Sequence, residues 1–427
     1  MAGKAATLLG QVRISDYLSV GLLSRLVPPS LVDEALTAHQ RHSKRQRDLP
    51  AHAVAYYVMA LSLYRGVNTE EVLRVVTEGM DYLGDAAIRR EVGKSAISAS
   101  RTRLGAEVMH YIAERSLAPL ALPETEVAFY CGLRIVSIDG TTLDVADETG
   151  NRETFGVPGT QQGQTGYPQI RCVGLLENGT QALFGVALGG YKDSEVSLAH
   201  ETIQNLKPDM LCLADRGFSG YPLWQAASQT GAQLLWRIPK NRILPISKRF
   251  KDGSYLSQIN PAPETLKKMG DKTAPTLTVR VIDYSLPGVS NAEPVYRLIT
   301  TLLDSEHYPA DELAALYHAR WRIETAFAEI KTTLKGADIV LRSKTPELVL
   351  QEFWGLLLAH HVVRKLILEA ALSRQRPPDT LSFKHSLTLI RRKLPSSGAI
   401  PPRAVPKVVE CVGWVFRHIV TADSGLS

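Results

Sequence analysis

In the stretch YHARWRIETAFAEIKTTLKG, Tyr317, Arg320, Glu324 and Lys331 follow the spacing Tyr-x2-Arg-x3-Glu-x6-Lys. These four side chains offer a hydroxyl, a guanidinium, a carboxylate and an ammonium, which together suit the handling of a phosphate. The stretch has no Pro and no internal Gly and is rich in helix formers, so it predicts a helix over 317–336. At about 100° per residue, Ile323, Ala326, Phe327, Ile330 and Leu334 make one apolar stripe. The four polar residues fall within an arc of roughly 60° beside that stripe. A solvated ion pair between Arg320 and Glu324 is the plainer reading, and it is worth only a few tenths of a kcal/mol.

Two further carboxylates share a setting. Asp139 in SIDGTT and Asp215 in LADRGF each follow an apolar, strand-like run, with small or Gly residues beside them. In α/β sheets, ligands gather beyond the carboxyl ends of the strands. Two Asp there, joined by Glu324 from a helix packed across the sheet, would make an oxygen cage for Mg2+, or for Mn2+ in its place. Such a cage suits phosphoryl transfer, with ions roughly 3.5–4 Å apart clamping the attacking and leaving oxygens. Taken singly, a strand-end Asp is more often a turn or cap residue. Asp144 and Asp147 are expected in the turn after the first strand, and Asp193 and Glu195 at the start of a helix.

Several elements must hold these groups. Residues 1 to about 125 read as helical, with Asn68 or Thr69 as a cap over Glu70 and Glu71. In KSAISASRTRLGAEVMHYIAERSL, Ser95 could cap a helix showing Ser98, Arg101 and Arg103, a pattern compatible with DNA reading. Strands and helices then alternate, which makes an α/β core. QIRCVGLLENGTQALFGVALGGY reads as two strands around a turn at Glu177–Asn178–Gly179. Residues 237–295, rich in Pro, Gly and Asn, read as a β-rich insertion in which PTLTVRVIDYSL is an exposed strand. VYRLITTLLD returns to the core, and the tail from about 345 is largely helical. The boundaries follow: 1–125 helical, 126–236 and 296–344 core, 237–295 insertion, 345–427 helical.

The 427 residues carry a formal charge of +6, and the charge is unevenly placed. Between Arg364 and Val420 there are eleven Lys/Arg against three Asp/Glu, and WRIPKNRILPISKRFK has six bases and no acid. The early run HQRHSKRQRD is also basic. Clustered positive charge on separate segments suits a polyanion touching several faces, nucleic acid above all. Cys131, Cys172, Cys212 and Cys411 lack metal-type spacing, and most sit in apolar runs, as buried thiols of a reducing cytoplasm would. No secretory signal is visible. The longest apolar candidate, FWGLLLAHHVV, is too short to span a membrane, so a cytoplasmic protein without membrane contact is expected.

The Tyr317, Arg320, Glu324 and Lys331 spacing resembles the Y-R-E-K signature of the DDE transposases of bacterial insertion sequences, family four. DGTTLDVAD resembles that family's first-Asp block, ADRGF its second, and SASRTRLG the end of its N-terminal helical domain. The order of blocks and the insertion before the Glu are also similar, so the resemblance covers nearly the whole chain. It implies a ribonuclease-H-like catalytic core with a β-rich insertion, flanked by helical N- and C-terminal regions. It also implies a metal-binding catalytic triad of Asp139, Asp215 and Glu324, with Tyr317, Arg320 and Lys331 on phosphates of the transposon end. Arg237, Lys240 and Arg242 stand where the resemblance expects DNA-backbone contacts. Some members hold a flipped-out base on a Trp where this chain has Tyr296; Tyr supplies a stacking face too, although a core or edge Tyr is the plainer reading.

The activity so implied is DNA transposition. The protein would bind terminal inverted repeats, pair two ends as a dimer, cleave strands with Mg2+ and transfer them to target double-stranded DNA. Two alternatives remain at this point. A transposase-derived DNA-binding protein without catalysis would be marked by a lost acid, and none of the three is missing. A metal-dependent nuclease would cut without strand transfer. A glycosidase built on paired carboxylates leaves the basic segments and the companions of Glu324 unexplained.

Overall fold

In a computed structural model the chain divides into two units. The structure describes residues 23–24, 27–43, 49–63, 69–73, 93–159, 166–270, 274–285, 293–334, 341 and 343–387. Asn68, part of the run HQRHSKRQRD and the basic tail beyond residue 387, with Cys411, lie outside the described residues.

One unit comprises Ala121–Thr142 and Ile170–Phe327. Its strands run in chain order as β1 (Phe129–Tyr130), β2 (Leu133–Asp144), β3 (Gln169–Glu177), β4 (Ala182–Gly190), β5 (Met210–Ala214), β6 (Gln233–Ile238), β7 (Lys248–Arg249), β8 (Tyr255–Ile259), β9 (Leu277–Tyr284) and β10 (Tyr296–Thr300). They form a single sheet in the order β4-β3-β2-β5-β6-β10-β9-β8-β7, with β1 beside β2. β2, β5 and β6 are parallel neighbours, and β3–β4 is an antiparallel hairpin. The β5–β6 crossover carries the helix Tyr221–Gln229. A parallel centre with an antiparallel hairpin beside it is the ribonuclease-H-like arrangement that the sequence led us to expect.

Residues 237–295 carry β7, β8 and β9 between β6 and β10 and are β-rich as expected. β8 pairs with β9, β9 with β10, and β10 with β6, all antiparallel, so the segment widens the same sheet. β9 is not the exposed strand expected. Val279, Val281 and Ile282 are buried, and so is Arg280, whose guanidinium is held by Asp252, by Ser254 Oγ (2.8 Å) and by the Tyr308 carbonyl (2.6 Å). A buried guanidinium with partners of this kind is tolerated only because its charge and its donors are matched.

One face of this sheet is the core that matters for the site. Ile135, Leu211, Leu213, Leu235, Ile282 and Leu298 meet Ala310, Leu313 and Tyr317 of the helix Ala310–Tyr317. The predicted helix over 317–336 is helical at every described residue, 317–334, but it is not of one type. Tyr317 ends one α-helix, His318–Arg320 is a 3-10 turn, Trp321–Ala328 is α-helical and Glu329–Leu334 is a π-helical turn. The uniform 100° wheel therefore does not hold across the segment, since each change of helix type alters the turn angle.

The other unit comprises Met1–Leu120, Leu143–Gln169 and Ala328–Ser427. Residues 143–169 thus group with the terminal helices instead of the sheet core to which the sequence reading gave them. Its helices include Pro29–Ala38, Ala51–Leu63, Lys94–Leu104, Ala106–Ser116, Thr149–Phe155 and Pro346–Ser373. The long helix packs on Ala51–Leu63 closely enough that a Cβ at Gly355 would lie 2.7 Å from the Val58 carbonyl oxygen. FWGLLLAHHVV lies buried within this helix, and among the described residues no helix is long and apolar enough to cross a membrane. The helix Lys94–Leu104 begins after Gly93, so Ser95 lies inside it and is not its cap.

Candidate active site

Strand register sets the site. Ser137 pairs with Leu213, the last pair of the β2–β5 ladder, and Ala214 pairs with Trp236 in β5–β6. Asp139, Asp215 and Arg237 therefore occupy equivalent positions on three neighbouring strand lines. Side chains alternate along a strand, so Asp139 shares the face of Ile135, Asp215 that of Leu213, and Arg237 that of Leu235. This is the face covered by the Ala310–Tyr317 helix. Asp139 is not at a strand end as expected, because β2 runs on to Asp144. Only its ladder to β5 ends before Asp139. Asp215 does follow β5, and its Oδ1 accepts from Gly217 N at 2.7 Å, capping the turn Arg216–Phe218.

The helix delivers its side chains to that edge. Tyr317 is buried and its hydroxyl donates to the Ala214 carbonyl at 3.2 Å, beside Asp215. One turn on, Arg320 Nη1 donates to Asp139 Oδ2 at 3.2 Å and Nη2 to Glu324 Oε1 at 2.9 Å. Arg320 is itself 8% exposed. A single guanidinium thus bridges the strand acid and the helix acid, a stronger arrangement than the solvated i,i+4 pair weighed from sequence.

Burial raises the Asp139 pKa to about 6. The Gly140 N–H bond and Arg320 oppose that rise, and the negative charges of Asp215 and Glu324 add to it. The three carboxyl groups therefore feel one another through a partly desolvated space, with Arg320 as counter-charge. Among the described residues no three His, Cys, Asp or Glu side chains are grouped tightly enough to hold a metal ion by themselves.

The remaining predicted residues separate into those that face this edge and those that do not. The Arg237 guanidinium lies 4.7 Å over the Tyr296 ring and pairs with Glu293 at 2.6 Å. Tyr296 stacks on Tyr284, with centroids 5.3 Å apart. Neither Glu293 nor Tyr284 carries a sequence signal that would have singled it out. Arg242 donates to the Ser219 carbonyl at 2.9 Å and is half-buried, while Lys240 is exposed. Lys331 lies in the π-helical turn, in the other unit, and is half-buried.

Two expectations need correcting. Arg101 is buried and its donors are committed to Ser343 Oγ, the Leu348 carbonyl and Gln351 Oε1, so it packs its own unit instead of reading DNA. The Tyr317 hydroxyl likewise points into the sheet instead of toward a phosphate. Arg103 remains on the exposed face and bonds Ser100 Oγ at 2.6 Å. Among the expected buried thiols, Cys172 and Cys212 are buried, but Cys131 is exposed, in a turn at φ 47°.

Comparisons with known proteins identify the family. The transposase DDE domain matches residues 130–361, and the N-terminal region of the insertion element 4 transposases matches residues 17–114. The chain is 29% identical over 402 residues to the transposase InsG for insertion sequence element IS4 of Escherichia coli (strain K12), covering 93% of this chain and 86% of that protein. It is 25% identical over 223 residues to the putative transposase InsZ of the same organism, covering 52% of this chain and 72% of that one. Among solved structures, a piggyBac transposase synaptic complex with hairpin DNA aligns over 96% of this chain and 88% of its own, at TM-score 0.43 and 11% identity. The chain belongs to the DDE transposase family, the DNA-cutting and DNA-transferring enzymes of transposition.

Proposed function

We propose that this transposase binds the terminal inverted repeats of its own element, pairs two ends as a dimer, cleaves their strands and joins the freed 3′ ends to target DNA. The observation that carries the reading is the bridge from Asp139 through Arg320 to Glu324, beside Asp215 on the adjacent strand. Asp139, Asp215 and Glu324 would hold Mg2+, with Mn2+ able to replace it. The support is the donor set: three hard carboxylates, with the Asp139 carboxyl pushed up chiefly by burial and further by the negative charges of Asp215 and Glu324, so that added positive charge would favour its ionised form. When bound, a divalent ion supplies charge to the attacking and leaving oxygens of an in-line transfer.

The chain's own residues do the positioning. Arg320 Nε is buried and has no hydrogen-bond partner among the described residues, so a phosphate oxygen reaching the site would meet an unused donor. Arg237 and Lys240 would hold the DNA backbone, with Lys331, Arg242 and Arg103 as further candidates, and the Tyr296–Tyr284 stack would offer a face to a base. No covalent intermediate with the protein is required.

A joined-product assay tests the reading against a nuclease that only cuts. Labelled end duplex is incubated with supercoiled plasmid and Mg2+. Joined product dependent on a free 3′-hydroxyl supports transposition, and cut ends that never join favour the nuclease.

A further inference from the structure

We propose that Asn178 is a positioning residue that sets the Glu324 helix against the Asp139 strand. The inference rests on the assignment of Asp139 and Glu324 to the active site. Asn178 sits at the turn between β3 and β4, a place that is normally exposed, yet it is 0% exposed. Its backbone N donates to the Ile135 carbonyl at 3.0 Å, and its Oδ1 accepts from Ser137 Oγ at 2.9 Å. Both partners lie on β2, and Ser137 is two residues before Asp139. On the other side, Nδ2 donates to the Ala319 carbonyl at 2.7 Å, and the Asn178 carbonyl accepts from Arg322 Nη1 at 3.1 Å. Ala319 precedes Arg320, and Arg322 is two residues before Glu324.

The amide is the right group for this place. It accepts from a strand hydroxyl and donates to a helix carbonyl, and a carboxylate cannot do the second. Ala319 belongs to the 3-10 turn His318–Arg320, and its carbonyl, which also faces the Trp321 N–H, has a second lone pair for the Asn178 amide. The turn has little freedom to move. A Cβ at Gly179 would lie 2.6 Å from Ala128 Cα, and the neighbouring Glu177, fully buried, accepts from Ala121 N at 2.8 Å and pairs with Arg134. Asn178 therefore transmits the fixed position of the hairpin to both acids at once. Displacement of a reacting group by about 1 Å can lower a rate by about a hundredfold.

The test compares Asn178→Asp, which keeps the acceptor and loses the donor, and Asn178→Ala with wild type. Val173→Ala truncates the buried core of the same hairpin and serves as the stability control. Single-turnover nicking of a duplex carrying the element's own end gives kcat, and the same duplex gives Kd. Mn2+ binding to the protein–DNA complex, read from the free-ion electron paramagnetic resonance signal, gives a readout apart from activity.

Both Asn178 variants are expected to lose about tenfold or more in kcat and to bind Mn2+ at least about threefold more weakly, with Kd for DNA within about twofold. Val173→Ala is expected to melt lower while keeping wild-type kcat and Mn2+ binding. Asn178 variants with wild-type kcat and Mn2+ binding would overturn the proposal, as would losses that Val173→Ala matches at equal melting temperature. If neither Asn178 variant folds, Ser137→Ala decides: a kcat reduced about threefold supports the link, and wild-type kcat overturns it. Glu324→Gln runs alongside. Nicking by Glu324→Gln at the wild-type rate would sink the active-site reading itself, whereas its loss alongside intact Asn178 variants would remove only the role of Asn178.

Discussion

Arg320 donates to Asp139 Oδ2 at 3.2 Å from a helix turn that is nearly buried, and so a cation of the protein occupies the space beside the strand acid. Its other terminal nitrogen holds Glu324. Arg320→Ala should therefore act in two ways. It removes an influence that lowers the Asp139 pKa, so in metal-free protein that pKa should rise above about 6. It also removes the guanidinium that the proposed function assigns to phosphate, which should lower the cleavage rate about a hundredfold or more. Carboxyl carbon titration by NMR checks the first, and single-turnover nicking the second.

The raised Asp139 pKa has a sign that can be worked through. Folded protein binds this proton more tightly than unfolded chain, whose Asp titrates near the model-peptide value of about 3.9. The contribution to stability is fully present below that value and is lost as pH rises through about 6. Asp139→Asn cannot ionise, so metal-free Asp139→Asn should be the more stable protein at pH 8, by on the order of 2 kcal/mol. That gap should shrink as pH falls through 6 and close near 4. Melting curves of the two proteins across pH, in EDTA, measure it, and Mg2+ should narrow the gap at pH 8.

The widened sheet clamps the start of the Ala310–Tyr317 helix. Asp252 pairs with the buried Arg280 and also accepts from Ala310 N at 3.1 Å. Asp252→Ala leaves Arg280 buried without its counter-charge, a change that removes about 3–5 kcal/mol in comparable buried pairs. A large fall in chemical-denaturation midpoint is expected, and Arg280→Met, which removes the buried charge itself, should be milder.

In the helical unit, Gly355→Ala places a Cβ against backbone at Val58, which cannot swing aside as a flexible side chain would. The helix Ala51–Leu63 is buried from Ala53 to Leu63 and has little room to retreat. Overpacking of this kind typically removes about 1–3 kcal/mol. Thermal unfolding of the variant should show a lower midpoint, and an unchanged one would contradict the close helix contact.

Much of this was legible in the sequence. Apolar runs ending near Asp139 and Asp215, followed by Gly, marked the strands, and the Arg320–Glu324 spacing marked a shared helix face. The limits have physical causes. Ladder length depends on the partner strand, so nothing in SIDGTT told that β2 continues past Asp139 to Asp144. Helix type depends on packing, so the changes of type after Tyr317 and at Glu329 were invisible to a uniform wheel. Arg101 read as a DNA contact, and the strand of Arg280 as exposed, because the partners that bury these two side chains, Gln351 and Asp252, lie far away in sequence. Asn178 read as an ordinary turn residue for the same reason, as its partners Ser137 and Ala319 are 41 and 141 residues away.

The most direct test of the account is single-turnover nicking of a duplex bearing the element's own end, with Mn2+, by wild type and Glu324→Gln at matched DNA occupancy. Glu324 is half exposed at 48% of its side chain, so the variant should fold and bind as wild type does. The account predicts metal-dependent nicking by wild type and a loss of about a thousandfold or more in Glu324→Gln, on the scale of removing an essential electrostatic group. Nicking by Glu324→Gln at a rate near wild type would contradict the assignment of Glu324 to the catalytic centre.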